Sequence, residues 1–133
     1  SKTNTIDINS AVFSWNKRII QLKIIIGQSA YRSLQLGEIQ ANETTNTICD
    51  GLRAQIGTIP FPTIIEKMDG IITVSEKEII DAMCKIWERM KIIVEPSSSI
   101  TLAAVLKDKE VFTGKKVGLI LSGGNVDLDH LPW

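Results

Sequence analysis

Lys115-Lys116-Val117-Gly118-Leu119-Ile120-Leu121-Ser122-Gly123-Gly124-Asn125-Val126-Asp127-Leu128 is the stretch on which the reading of the fold turns. Val117 to Leu121 is an apolar run with no alternation, the pattern of a strand covered on both faces. The run stops at Ser122-Gly123-Gly124-Asn125. Two glycines there permit a sharp turn and a close backbone approach, flanked by a hydroxyl and an amide. In open α/β sheets ligands collect at the carboxyl ends of strands, so this exit is the first candidate site. A plain glycine turn leaving a buried strand is the competing reading.

Working back along the chain, Gly70 to Leu121 reads β-α-β-α-β. Ile71 to Val74 is rich in β-formers. Ser75-Glu76-Lys77-Glu78 is a capping box, and the helix after it sets Ile79, Ile80, Met83, Ile86, Trp87 and Met90 on one face. Lys91 to Glu95 reads as the next strand, ended by Pro96. Ser97 to Ser99 are helix N-cap candidates for Ile100 to Leu106, and their hydroxyls could also hold an anion. Thr113-Gly114 then turns the chain into the stretch quoted above. Short connections and right-handed crossovers make the expected sheet mostly parallel, with flanking helices: an α/β domain.

Earlier in the chain the pattern is weaker. Residues 1–22 read as an irregular segment, or a helix remnant around Ala11 to Ile20. Lys23 to Gly27 reads as a short buried strand. Ser29 to Leu36 is a short helix closed by Gly37, and Thr63 to Met68 a helix after Pro62. Asp50-Gly51 sits in an apolar loop where a backbone could approach a planar ligand. Glu95 should share a rim with Ser122 if neighbouring parallel strands carry them.

Composition narrows the function. Fifteen basic and fifteen acidic residues among 133 cancel, so nothing favours electrostatic capture of nucleic acid or of an anionic membrane. No apolar run approaches the roughly 20 residues needed to span a bilayer. Cys49 and Cys84 are isolated and read as reduced thiols of a cytoplasmic protein. His130 is the sole histidine, which leaves a Ser-His-Asp triad or a histidine metal cluster without support, and no metal site is expected.

Trp87-Glu88-Arg89-Met90-Lys91-Ile92-Ile93-Val94-Glu95-Pro96-Ser97, Ala103-Ala104-Val105-Leu106 and Leu121 to Leu128 together resemble the serine racemases. Thr47 to Leu52, Val74-Ser75-Glu76 and Ala30 to Leu34 fit the same pattern. The wider group is the fold-type II pyridoxal-phosphate enzymes, with serine/threonine ammonia-lyases and hydroxyaspartate dehydratases. The resemblance implies that residues 23–133 are the C-terminal half of that group's large domain, with 1–22 a non-family segment.

The same resemblance implies pyridoxal 5'-phosphate as cofactor. Ser122 would face its pyridine nitrogen, Gly51 would lie near its ring, and Glu95 would approach the same pocket. Lys91 and Asn125 would match a nucleotide effector site, for ATP, at a subunit interface. The substrates implied are L-serine or L-threonine, undergoing racemisation or β-elimination, and a homodimer or a missing N-terminal half is the implied partner. No catalytic residue is assigned. The family's Ser-x-Lys-x-Arg-Gly-Ala motif and its tetraglycine phosphate loop do not occur in this sequence, and neither do the acidic metal ligands. The alternative expectation is a non-catalytic domain acting as an interaction or regulatory module.

Overall fold

The computed structural model describes residues 11–16, 19–24, 28–41 and 46–133. Its sheet has four strands in the order β3-β2-β1-β4: β1 Ala11–Asn16, β2 Ile19–Ile24, β3 Gly70–Ile71 and β4 Lys116–Leu119. Among the described residues the helices are α1 Gln28–Leu36, α2 Pro60–Lys67, α3 Glu76–Met90, α4 Pro96–Lys107 and α5 Lys109–Phe112. A 3-10 turn spans Asp50–Leu52.

The α/β class holds, but the expected mostly parallel sheet does not. Among the described residues only β2 and β3 pair in parallel; β1 pairs antiparallel with both β2 and β4. The reason is local. Two residues separate β1 from β2, too few for the crossover that a parallel neighbour needs. The helix expected near Ala11 to Ile20 is replaced by these two strands, where β-branched and aromatic residues follow their strand preference. The strand expected from Lys23 to Gly27 starts earlier, at Ile19, and residues 25–27 lie outside the described set, as do 1–10.

Lys91–Glu95 is a second correction. It belongs to no strand: across to the Ser122 turn it makes one backbone hydrogen bond, from the Glu95 N–H to the Gly123 carbonyl at 3.1 Å. β-rich composition makes a segment extended, but a ladder needs a paired neighbour. The segment begins at Lys91, which caps α3 in the left-handed region at φ 59. α2 also starts earlier than expected, at Pro60, whose fixed φ suits a first helical position.

α3 matches the sequence closely. Ser75 accepts from the Glu78 N–H, and the Glu78 carboxylate accepts from the Ser75 N–H at 2.7 Å, so the capping box is complete. Ile79, Ala82, Met83 and Ile86 form the buried face, which packs on α4. One core cluster joins Ile79 and Ala82 to Cys49, Ile72, Ile100, Ala103, Ala104 and Phe112. A second holds Met83, Ile86 and Val94, with Trp87, Leu102, Leu121 and Val126 against it. This second cluster seats Leu121, immediately before the Ser122 turn. No helix among the described residues is long and apolar enough to cross a membrane.

Candidate active site

The first turn of α4 gathers the candidate residues. Glu95 is its N-cap and Pro96 its first residue, with Ser97, Ser98 and Ser99 buried just inside the helix rather than capping it. The Ser98 and Ser99 amides both donate to the Glu95 carbonyl, at 3.1 and 3.2 Å. Those two N–H groups are therefore committed, and the anion site considered for this helix start loses them.

The Ser97 and Ser98 hydroxyls reach outward to two loops, while the Ser99 hydroxyl donates back to the Glu95 carbonyl at 3.1 Å. Ser98 Oγ accepts from the Gly123 N–H and donates to the Gly123 carbonyl, each at 2.8 Å, and lies 3.4 Å from Ser122 Oγ. Ser97 Oγ accepts from the Gly51 N–H at 3.2 Å. Glu95 is tied to the same turn: its carboxylate accepts from the Asn125 N–H at 3.0 Å. Ser122, Glu95, Gly51 and Asn125 are thus brought together, with α4 as the hub. Lys91 is exposed at the far end of the Lys91–Glu95 segment, and no hydrogen bond or ion pair links it to Asn125 among the described residues.

Ser97 and Ser98 are the residues that sequence reasoning undervalued. Three hydroxyls behind a proline suggested caps, yet both Ser97 and Ser98 bond to chain segments 24 to 46 residues away. Glycine is required at Gly124, where these segments meet backbone to backbone. A Cβ on Gly124 would sit 2.8 Å from the Ile93 carbonyl oxygen, and one on Gly123 would meet the Glu95 carboxylate at the same distance. Close approach, more than turn geometry, explains the glycine pair.

The Gly51 loop is fixed from α3. Glu76 accepts from the Thr47 hydroxyl at 2.5 Å and the Ile48 N–H at 3.1 Å, while Arg53 donates to the Thr47 carbonyl at 2.8 Å. Cys49 is buried beside it, and desolvation, with the Glu76 charge second, pushes its thiol up to about 12. That thiol stays neutral near pH 7 and serves packing rather than nucleophilic chemistry. Among the described residues no group of histidine, cysteine and carboxylate side chains could hold a metal ion. A cavity of about 310 Å³ lined by Tyr31, Leu34, Met68 and Gly70 shares no residue with this site. The site is assigned by its convergent polar groups, not by volume.

The family profile described as pyridoxal-phosphate dependent enzyme matches residues 11–123. The chain belongs to that family. A serine racemase of Dictyostelium discoideum is 49% identical over 120 residues, covering 87% of this chain and 37% of that protein. A beta-hydroxyaspartate dehydratase of Paracoccus denitrificans is 42% identical over 116 residues, with the same 87% and 37% coverage. The crystal structure of the Dictyostelium discoideum serine racemase superimposes with a TM-score of 0.68 and 56% identity, over 75% of this chain and 32% of that one. The chain therefore spans about a third of the length of the curated relatives it matches.

The residues present fit one edge of the family's cofactor. Ser122 is exposed and its Oγ lies 3.4 Å from Ser98 Oγ, so the turn offers a neutral hydroxyl, a group of the right chemistry for a ring nitrogen. The phosphate and aldehyde ends find no counterpart in this sequence, which carries neither a tetraglycine loop nor the lysine motif.

Proposed function

We propose that this chain supplies the ring-nitrogen side of the active site of a pyridoxal-phosphate dependent enzyme acting on small hydroxy amino acids, L-serine or L-threonine, by racemisation or β-elimination. The observation that carries the reading is the convergence of Ser122, Glu95 and Gly51 on the first turn of α4. Pyridoxal phosphate supplies the electron sink for chemistry at the α-carbon. In this reading Ser122 meets the ring nitrogen, the Gly51 loop borders the ring, and Glu95 holds the Asn125 end of the turn. The lysine and the phosphate cradle come from a companion polypeptide carrying the remainder of the fold, or from a longer form of the chain. A cytoplasmic location goes with free Cys49 and Cys84.

ATP as an effector is part of the same proposal. Lys91 offers a point charge for phosphate and Asn125 a donor–acceptor pair, both at the surface. Their alignment across a subunit interface would need a second copy of the chain.

The chain alone, mixed with pyridoxal phosphate and L-serine, is expected to release neither pyruvate nor D-serine above the rate with free cofactor. Either product, made by the chain alone and lost with Ser122→Asp, would contradict the claim that this site is incomplete.

One observation favours a second reading, an interaction module. Ile92 and Ile93 are 40% and 55% exposed, and their amides have no backbone partner among the described residues. An extended apolar segment with open amides is a ready docking edge.

A further inference from the structure

The first turn of α3 carries two carboxylates with different tasks. Glu78 serves its own helix: it accepts from the Ser75 N–H at 2.7 Å and the Ser75 hydroxyl at 3.0 Å, with Lys107 Nζ 3.5 Å away. The capping box does not use Glu76. Both Glu76 oxygens turn instead to a loop 28 to 29 residues earlier, one to the Thr47 hydroxyl at 2.5 Å and the other to the Ile48 N–H at 3.1 Å. Thr47 passes the hold inward, because its Oγ1 also accepts from the Cys49 N–H at 3.1 Å. Arg53 closes the loop on itself, donating to the Thr47 carbonyl at 2.8 Å and pairing with Asp50 at 2.9 Å. On the other side the Gly51 N–H donates to Ser97 Oγ at 3.2 Å. Residues 47–53 are thus a small hydrogen-bonded unit, tied to α3 by Glu76 and to α4 by Ser97.

We propose that Glu76, acting through Thr47, is a positioning residue for the Gly51 loop: it keeps residues 47–53 from opening on their own, and so holds the Gly51 backbone fixed at the edge of the site. Its bearing on the cofactor rests on the reading of Gly51 as the neighbour of the ring. Hydrogen bonds to an ionised carboxylate are stronger than neutral ones, so of these two ties the Glu76 side is the firmer. With it cut, the loop keeps a 3.2 Å neutral bond and its packing against the core. Cys49 reports which of these holds. It is fully buried within the unit and its thiol is pushed up to about 12, so a thiol reagent reaches it only when the loop has left its seat. Global and local opening differ in how they answer urea. Global unfolding exposes much surface and climbs steeply with urea, whereas the opening of one loop exposes little and barely responds.

The test is the rate at which a thiol reagent labels Cys49 in the full chain at neutral pH, over urea concentrations below the unfolding transition. Peptide mass spectrometry assigns the label, so that Cys84 is counted apart. The chains compared are wild type, Glu76→Ala, Thr47→Val, Thr47→Ser and Glu78→Ala. Wild type is expected to label slowly and with a steep urea dependence. Glu76→Ala and Thr47→Val should label roughly tenfold faster without urea, or more, with a shallow dependence. Thr47→Ser, which keeps the hydroxyl, should return to the wild-type behaviour. Glu78→Ala loosens the helix start without touching the loop and should keep the steep dependence. A steep dependence in both Glu76→Ala and Thr47→Val overturns the proposal, since the loop then opens only with the fold whether Glu76 holds it or not. So does a shallow one in wild type or in Glu78→Ala. Thr47→Val leaves α3 intact and keeps the test decisive where Glu76→Ala folds poorly. No cofactor takes part, so the reading of Gly51 as the ring's neighbour stands or falls separately, on the pyruvate made when the missing part is supplied.

Discussion

At the scale of single residues, the account depends on glycines and serines that share very little space. Gly124 lies against the Ile93 carbonyl, where a Cβ would come within 2.8 Å of a backbone oxygen that has no flexible end to swing away. Gly124→Ala should therefore cost about 1–3 kcal/mol of stability, the usual range for overpacking, measured by urea unfolding. An unchanged midpoint would mean the turn is looser than described. Cys49 gives a second check. Its thiol ordinarily ionises near 9.0 and is held up to about 12 in the fold, by burial first and by Glu76 second. The unfolded chain then holds fewer protons than the native one above pH 9, so this group's contribution is complete below that pH and declines as pH rises toward 12. Thermal melts of wild type should show an alkaline loss across that window that Cys49→Ala lacks, and thiol reagents should label Cys49 at neutral pH only after unfolding. Ser98 marks the limit of reading residues from sequence. Its hydroxyl looked like a cap because caps are local, whereas its partners Gly123 and Ser122 are supplied by a distant turn.

Elements were legible where their signals were local and lost where they depended on neighbours. α3 carries everything within its own residues: the Ser75–Glu78 box at its start, an apolar stripe along one face and an acidic first turn. Ser75→Ala should cost about 1 kcal/mol, visible as a lower urea midpoint with an unchanged slope. The box also has a pH signature. Hydrogen bonding to the Ser75 N–H, ahead of the smaller effect of Lys107, lowers the Glu78 pKa. Its support for the helix start is present above the ordinary carboxylate range and is lost as pH falls through the lowered value. β4 was plain in kind, although it stops at Leu119, before the apolar run reaches Ser122, and its partner was not legible. It lies antiparallel to β1, and the sequence of β4 holds no record of which strand it will meet. Lys91–Glu95 fails as a strand for the same reason: its isoleucines specify extension, and pairing has to come from outside.

At the scale of the whole molecule, the extent of the match to relatives frames the proposed function. The chain matches its family from residue 11 to 123, yet it spans about a third of its curated relatives. What that third contains is consistent: Leu121 and Val126 pack on the α3 cluster, which fixes the Ser122 turn, and α4 ties that turn to the Gly51 loop. The candidate site was legible in outline because Ser122, Glu95 and Gly51 each stand at a break in an apolar run. The serines that join them were not. The measurement that tests the central claim most directly is complementation. The chain is mixed with pyridoxal phosphate, L-serine and the lysine-bearing remainder of the Dictyostelium discoideum serine racemase, and pyruvate is followed with and without ATP. The account expects cofactor-dependent pyruvate from the mixture and none from either part, reduced by Ser122→Asp, with an ATP response weakened by Lys91→Ala. A soluble, associated mixture that makes no pyruvate would contradict it.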